Sequence, residues 1–205
     1  DMFADMLLEL EKAEKFIFME YFIIEEGVMF DSIVEILEKK AQEGIDVRLI
    51  YDSFGSIMKA PVDIVRKLEK KGIRCYEFNS FITVLDSRYN NRDHRKICVI
   101  DGNVGFTGGI NLADEYINKR EVYGHWKDTA IRLKGEAVWG LTVMFLSLWD
   151  VSRDETDDFI SYAPRQEFFY DDGFVAPYTD YPLDGEHVAQ NVYLNMINRA
   201  KKYVY

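Results

Sequence analysis

One histidine and one lysine, His94 and Lys96, are the residues of this 205-residue chain best placed to do chemistry. They open the run His94-x-Lys96-x4-Asp101, and Gly108-Gly109-x-Asn111 follows it. On a strand, side chains two apart share a face, so an imidazole and an ammonium would project together. Ile97 and Val99 would point the other way, into a core. Such a pair suits phosphoryl chemistry. A neutral imidazole can attack phosphorus, and a fixed cation balances charge on the non-bridging oxygens. The glycine pair allows close backbone approach, and Asn111 adds an amide donor at the same end. Asp101 completes the run and is counted with the catalytic set. At the turn beyond the strand, it is expected to hold the hairpin rather than touch substrate.

The elements that must position these residues read as alternating strand and helix. Residues 16–24 are apolar at nearly every position, the mark of a strand buried on both faces. A helix over 29–42 carries Phe30, Ile33, Val34 and Leu37 on one stripe and ends at Gly44. Residues 47–51 form the next buried strand. A helix over 62–71 begins after Pro61 and stops at Gly72, and 73–78 is strand again. A loop over 79–93 leads into a hairpin of 96–100 and 104–106 around Asp101-Gly102. A short strand over 129–133 and an apolar helix over 135–151 complete the unit. The class is α/β: a mixed, largely parallel β-sheet flanked by helices on both faces.

Composition narrows the function. A net charge of −11 argues against a general nucleic-acid binder and against a polybasic membrane-surface helix. Cys75 and Cys98 sit in apolar strands and read as buried free thiols. The longest apolar stretch, 137–149, is too short to span a bilayer, and the opening residues are not expected to act as a signal peptide. The chain opens at Asp1 inside a helical pattern, as a piece of something longer would.

Three segments emerge. Residues 1–151 form a first domain. Residues 152–187 are an acidic connector, rich in proline and opposed only by Arg153 and Arg165. Residues 188–205 start a second copy: Ala200–Tyr205 matches Ala13–Phe18, with Leu7 against Leu194 and Leu10 against Ile197. Some polar residues invite a role that the sequence does not settle. Asp52 follows a buried strand at the end where α/β proteins place sites, and could line a pocket or cap a loop. Glu20, if buried, needs a partner the sequence does not name. His187 falls in the connector and is expected to be exposed.

The histidine-lysine-aspartate run with Gly108-Gly109-x-Asn111 resembles the HKD motif of the phospholipase D superfamily. The likeness is closer still to bacterial cardiolipin synthases. It rests on MEYFII at 19–24, YDSFGS at 51–56, NRDHRKI at 91–97, GFTGGIN at 105–111, DEY at 114–116 and YGHWKDT at 123–129. It covers nearly the whole chain. His125 stands where an aromatic residue is expected, and is read as a substitution without a chemical role.

The resemblance implies roles residue by residue. His94 would form a phosphatidyl-histidine intermediate. Lys96 and Asn111 would bind the non-bridging phosphate oxygens. Asp128 would hold the other ring nitrogen of His94, fixing its tautomer and stabilising the imidazolium. The reaction implied joins two phosphatidylglycerol molecules into cardiolipin and glycerol, with no cofactor and no metal. It also implies a second HKD half of the same polypeptide, whose histidine acts as general acid about 187 residues after His94. Membrane spans ahead of the first domain and a bacterial cell membrane, with catalysis on the cytoplasmic side, belong to the same expectation. This chain alone is expected to be nearly inactive. Rival readings are a hydrolase using water as acceptor, working as a dimer, and a silent module.

Overall fold

A computed structural model describes residues 1–80, 92–164, 173–180 and 185–204 of the chain. The middle of the expected 79–93 loop, and with it Asn91 of the motif, lies outside the described residues, as do parts of the connector.

The chain runs α1 (Met2–Leu10), β1 (Phe16–Tyr21), α2 (Val28–Gln42), β2 (Asp46–Asp52), α3 (Ser53–Ser56), α4 (Ile64–Lys70) and β3 (Arg74–Phe78). It continues through β4 (Lys96–Ile100), β5 (Val104–Gly108), β6 (Ala130–Lys134), α5 (Val138–Arg153) and α6 (Val188–Arg199). The six strands form one sheet in the order β3-β2-β1-β4-β5-β6. Strands β3, β2 and β1 are parallel; β4, β5 and β6 join antiparallel. The sheet is therefore mixed, with its parallel part confined to the first half.

Position in the sheet follows from the residue pattern. β1 is buried at every residue because it sits between β2 and β4 with helices above and below. Ile17, Met19 and Tyr21 pack with Met6, Leu10, Ile33 and Leu37 of α1 and α2. Phe16 and Phe18 face the other way, onto Phe145 and Trp149 of α5. Period-two alternation thus feeds two separate cores.

β1 stops short of the residue 24 that its hydropathy predicts. The amides of Ile23 and Ile24 are taken by Asn111 Oδ1 (3.0 Å) and Ser56 Oγ (3.1 Å), which lift the chain off the ladder. The second helix of the parallel half begins at Ile64, two residues later than the sequence predicts, because Asp63 before it holds a left-handed backbone (φ 63°). Cys75 and Cys98 are buried free thiols, and burial pushes both up from the usual range.

The start of the acidic connector docks on the sheet. Arg48, buried in β2, binds Asp157 at 2.5 Å and donates to Tyr162 Oη at 2.7 Å. α6 is different: Tyr193, Leu194, Met196 and Ile197 stand exposed, and residues 200–204 form no strand. Among the described residues no helix is long and apolar enough to cross a membrane.

Candidate active site

β4 enters the sheet antiparallel to β1, with Lys96 opposite Tyr21, so its first residues lie at the carboxyl end of β1 and β2. That is the end where the loops of an open α/β sheet leave room for a ligand. His94 precedes β4 and is exposed, and its ring lies 4.7 Å from the ring of Phe22. Lys96 is the contrasting case: its side chain lies almost wholly buried (4 % exposed), its ammonium 5.3 Å from the Phe22 ring centre. Lys96 Nζ donates to the carbonyl of His94 at 2.6 Å, so the ammonium is held beneath the histidine.

The electrostatics follow from that burial. Desolvation is the main cause that brings the Lys96 ammonium down to about 8; Asp93, Asp128 and Asp52 oppose it. His94 is also held below its ordinary value, by desolvation first and then by the Lys96 charge. A neutral imidazole beside a cation that is short of counter-charge is what an attacking nitrogen and an arriving phosphate anion require.

The glycine pair makes the next wall. A Cβ on Gly108 would lie 2.3 Å from the Thr129 carbonyl, and one on Gly109 would lie 2.1 Å from Asp128 Oδ1. The two glycines therefore let the approach to β6 pass hard against the end of β5, bringing Asp128 to the site. Asp128 accepts from Trp126 Nε1 at 3.1 Å and from the Thr129 amide at 2.7 Å. Its charge is felt at Lys96, while the His94 ring is engaged by Phe22. Asn111 is buried: its Oδ1 accepts from Ile23 and its Nδ2 donates to Tyr116 Oη at 2.8 Å. One Nδ2 hydrogen and the Tyr116 hydroxyl hydrogen remain for other acceptors.

Asp101 stands apart from these four. It lies at the far end of β4, where its carboxylate accepts from the amides of Glu14, Lys15 and Phe16 at 2.7–2.9 Å. The left-handed backbone of Asp101 and Gly102 turns the hairpin there. A strand's length separates it from His94, and its carboxylate anchors the hairpin to the α1–β1 turn, the role its place beyond the strand predicts.

The structure supplies the partners that the sequence left open for Glu20 and Asp52, and adds neighbours it did not single out. Glu20, fully buried in β1, lies 2.5 Å from Arg95 Nε, which also reaches Asp93 Oδ1 at 3.0 Å. Burial, and then the Asp93 charge, hold the Glu20 carboxyl well above the usual range. Asp52 accepts from the amides of Phe54 and Gly55, capping α3, and from the amide of Asp93 at 3.0 Å. It thus ties the segment before His94 to the end of β2. Tyr116 and Trp126, whose rings meet edge to face at 5.0 Å, join Asn111 to Asp128. Both fall inside recognisable segments, yet only the fold shows that they touch. His125 and His187 are exposed.

The comparisons with known proteins agree with this geometry. Residues 6–138 match the cardiolipin synthase, phospholipase D-like domain family, and the chain belongs to that family. It is 48% identical over 206 residues to an uncharacterized protein of Streptococcus mutans, covering 99% of this chain and 44% of that protein. It is 35% identical to cardiolipin synthase 2 of Staphylococcus epidermidis, covering 99% of this chain and 42% of the relative. A cardiolipin synthase of Staphylococcus aureus is 33% identical over 223 residues, 99% of this chain and 41% of the relative. The chain thus spans less than half the length of these relatives. Among solved structures, the phospholipase D family member Nuc from Salmonella typhimurium shares the fold, with TM-score 0.53 and 17% identity over 74% of this chain and 86% of that one. Phosphatidylserine synthase of Haemophilus influenzae does likewise, with TM-score 0.53 and 14% identity over 74% of this chain and 35% of that one.

Proposed function

We propose that the chain carries one half of the active centre of a cardiolipin synthase, with His94 as the nucleophile. The observation that carries this reading is the exposed His94 side chain beside the buried Lys96 ammonium, which donates to the His94 carbonyl and shares the Phe22 ring with the imidazole. A ring nitrogen of His94 attacks the phosphorus of phosphatidylglycerol. The bond from phosphorus to the glycerol headgroup breaks, and the lipid phosphate becomes joined to His94. Lys96 and the free amide hydrogen of Asn111 take the charge of the non-bridging oxygens, so the step needs no metal.

The departing glycerol oxygen takes a proton from a second histidine, supplied by a second motif in the same polypeptide. That histidine then accepts the proton of a second phosphatidylglycerol hydroxyl as this oxygen attacks phosphorus. The phosphorus–nitrogen bond breaks, releasing cardiolipin and free His94. Asp128 serves His94 in this reading by turning from Trp126 to its distal ring nitrogen as positive charge develops. The setting is the cytoplasmic face of a bacterial cell membrane, to which spans elsewhere in the polypeptide hold the domain.

The test is phosphatidylglycerol turnover by the protein carrying both motifs, with His94→Ala alongside and products identified by mass. Cardiolipin from the wild type and none from the variant is the expected result. Phosphatidic acid in its place would make water the acceptor and the enzyme a hydrolase. Undiminished turnover by His94→Ala would overturn the reading.

A further inference from the structure

On the α5 side of the sheet a cleft of about 330 Å³ runs away from His94. Its floor is Ile97, Ile131 and Leu133; one wall is Leu141 and Met144 of α5; the other is a strap of connector that includes Val175. His94, Arg95 and Lys96 line one end. The strap is seated on α5, where a Cβ on Gly140 would come within 3.1 Å of Pro177. It continues past His94 to a second opening of about 550 Å³ lined by Asp93, His94, Thr179 and Asp180. The first cleft therefore changes character along its length, polar at the histidine and aliphatic beyond it. Its volume lies in the range of small-molecule sites.

We infer that this cleft seats an acyl chain of the lipid whose phosphodiester His94 attacks. The inference rests on the phosphoryl-transfer reading and adds the location of the apolar part of the substrate. The complementarity is twofold. The phosphate meets His94 at the polar end, and the hydrocarbon meets side chains that otherwise face water. Ile131, on the floor, is 55% exposed and Val175, on the strap wall, 57% exposed, so chain binding removes apolar surface from solvent on both. Strap and α5 then grip the chain while the site holds the phosphate, and the binding of remote atoms contributes to positioning the reacting ones.

The experiment compares binding of dihexanoyl-phosphatidylglycerol, below its micelle concentration, with binding of its deacylated headgroup, by titration calorimetry on this chain. Headgroup binding that is lost in Lys96→Met reads the phosphate site; the gain from the acyl chains reads the cleft. The wild type is expected to bind the lipid at least tenfold more tightly than the headgroup. Ile131→Glu and Val175→Glu, both on exposed positions that should not disturb folding, are expected to abolish that gain and leave headgroup affinity unchanged. Equal binding of lipid and headgroup, or a gain that survives both variants, would overturn the cleft and leave the phosphate site standing. If the variants instead alter self-association in sedimentation runs and leave the gain intact, the cleft is an interface and the inference fails. Failure of the wild type to bind either ligand would overturn both readings.

Discussion

At the scale of single residues, the decisive fact is that the Lys96 ammonium is buried. A lysine pushed down to about 8 binds fewer protons in the folded chain than in the unfolded one between that pH and its ordinary 10.5. Stability therefore rises with pH across that window, and below it the desolvated charge is a constant load. Lys96→Met is expected to raise stability at pH 7 by about 1–3 kcal/mol, the gain shrinking toward pH 10. Urea unfolding at both pH values checks this, and the same variant should lose phosphate binding, as expected where a site trades stability for function. His94 should titrate below its ordinary value of 6.5, seen by ring-nitrogen NMR, and should shift upward in Lys96→Met because a neighbouring charge is gone. An unmoved His94 titration would mean that the two side chains do not interact.

His94 and Lys96 were legible in the sequence because two residues on a strand share a face whatever surrounds them. Glu20 and Asp93 were not. Nothing in a one-dimensional pattern says that Glu20, the fifth residue of β1, will meet Arg95 just before β4; that meeting depends on β4 pairing antiparallel with β1.

At the scale of elements, two glycines and one aspartate fix how β4, β5 and β6 meet the site. Gly109→Ala places a methyl where Asp128 Oδ1 now lies. The carboxylate must move, so His94-dependent turnover of the two-motif protein should fall by about 10²-fold or more while the circular dichroism spectrum is kept. Asp101→Ala leaves three backbone amides at the α1–β1 turn without their acceptor. Removing these charge-assisted bonds should cost about 2–4 kcal/mol in urea unfolding, with the His94 titration unchanged. A shifted titration would tie Asp101 to the catalytic set.

Hydropathy placed nearly all of these elements, because the central strands β1, β2 and β4 bury both faces and the helices that cover them carry an apolar stripe. It erred at their ends, where side chains compete for backbone amides. Asn111 and Ser56 shorten β1, and such long-range capping has no local signature.

At the scale of the whole molecule, two cores share one sheet and the connector is partly fastened to it. Arg48 is the fastener: fully enclosed, it binds Asp46, Asp157 and Tyr162 and lies over the rings of Phe18 and Trp149. Arg48→Ala would leave the half-buried Asp46 and Asp157 carboxylates without the buried cation they share. A loss of about 3–5 kcal/mol is expected, with faster amide exchange over residues 154–162 as the sign that the connector has come free. An unchanged exchange pattern would show that the connector is held by other contacts. The sequence marked this stretch as acidic and proline-containing, which describes its solubility. That its first part anchors to β2 while a later part passes His94 is a property of the folded chain alone.

The central claim is that His94 forms a bond to phosphorus. The most direct measurement uses a phosphatidyl ester of p-nitrophenol, whose leaving group departs without a general acid and so does not require a second motif. The chain is mixed with this ester, quenched, digested and weighed by mass spectrometry. A stoichiometric burst of nitrophenol, with a phosphatidyl adduct on the His94 peptide that is absent from His94→Ala, is predicted. A wild-type chain that releases no burst and carries no adduct, or an adduct that persists in His94→Ala, would contradict the account.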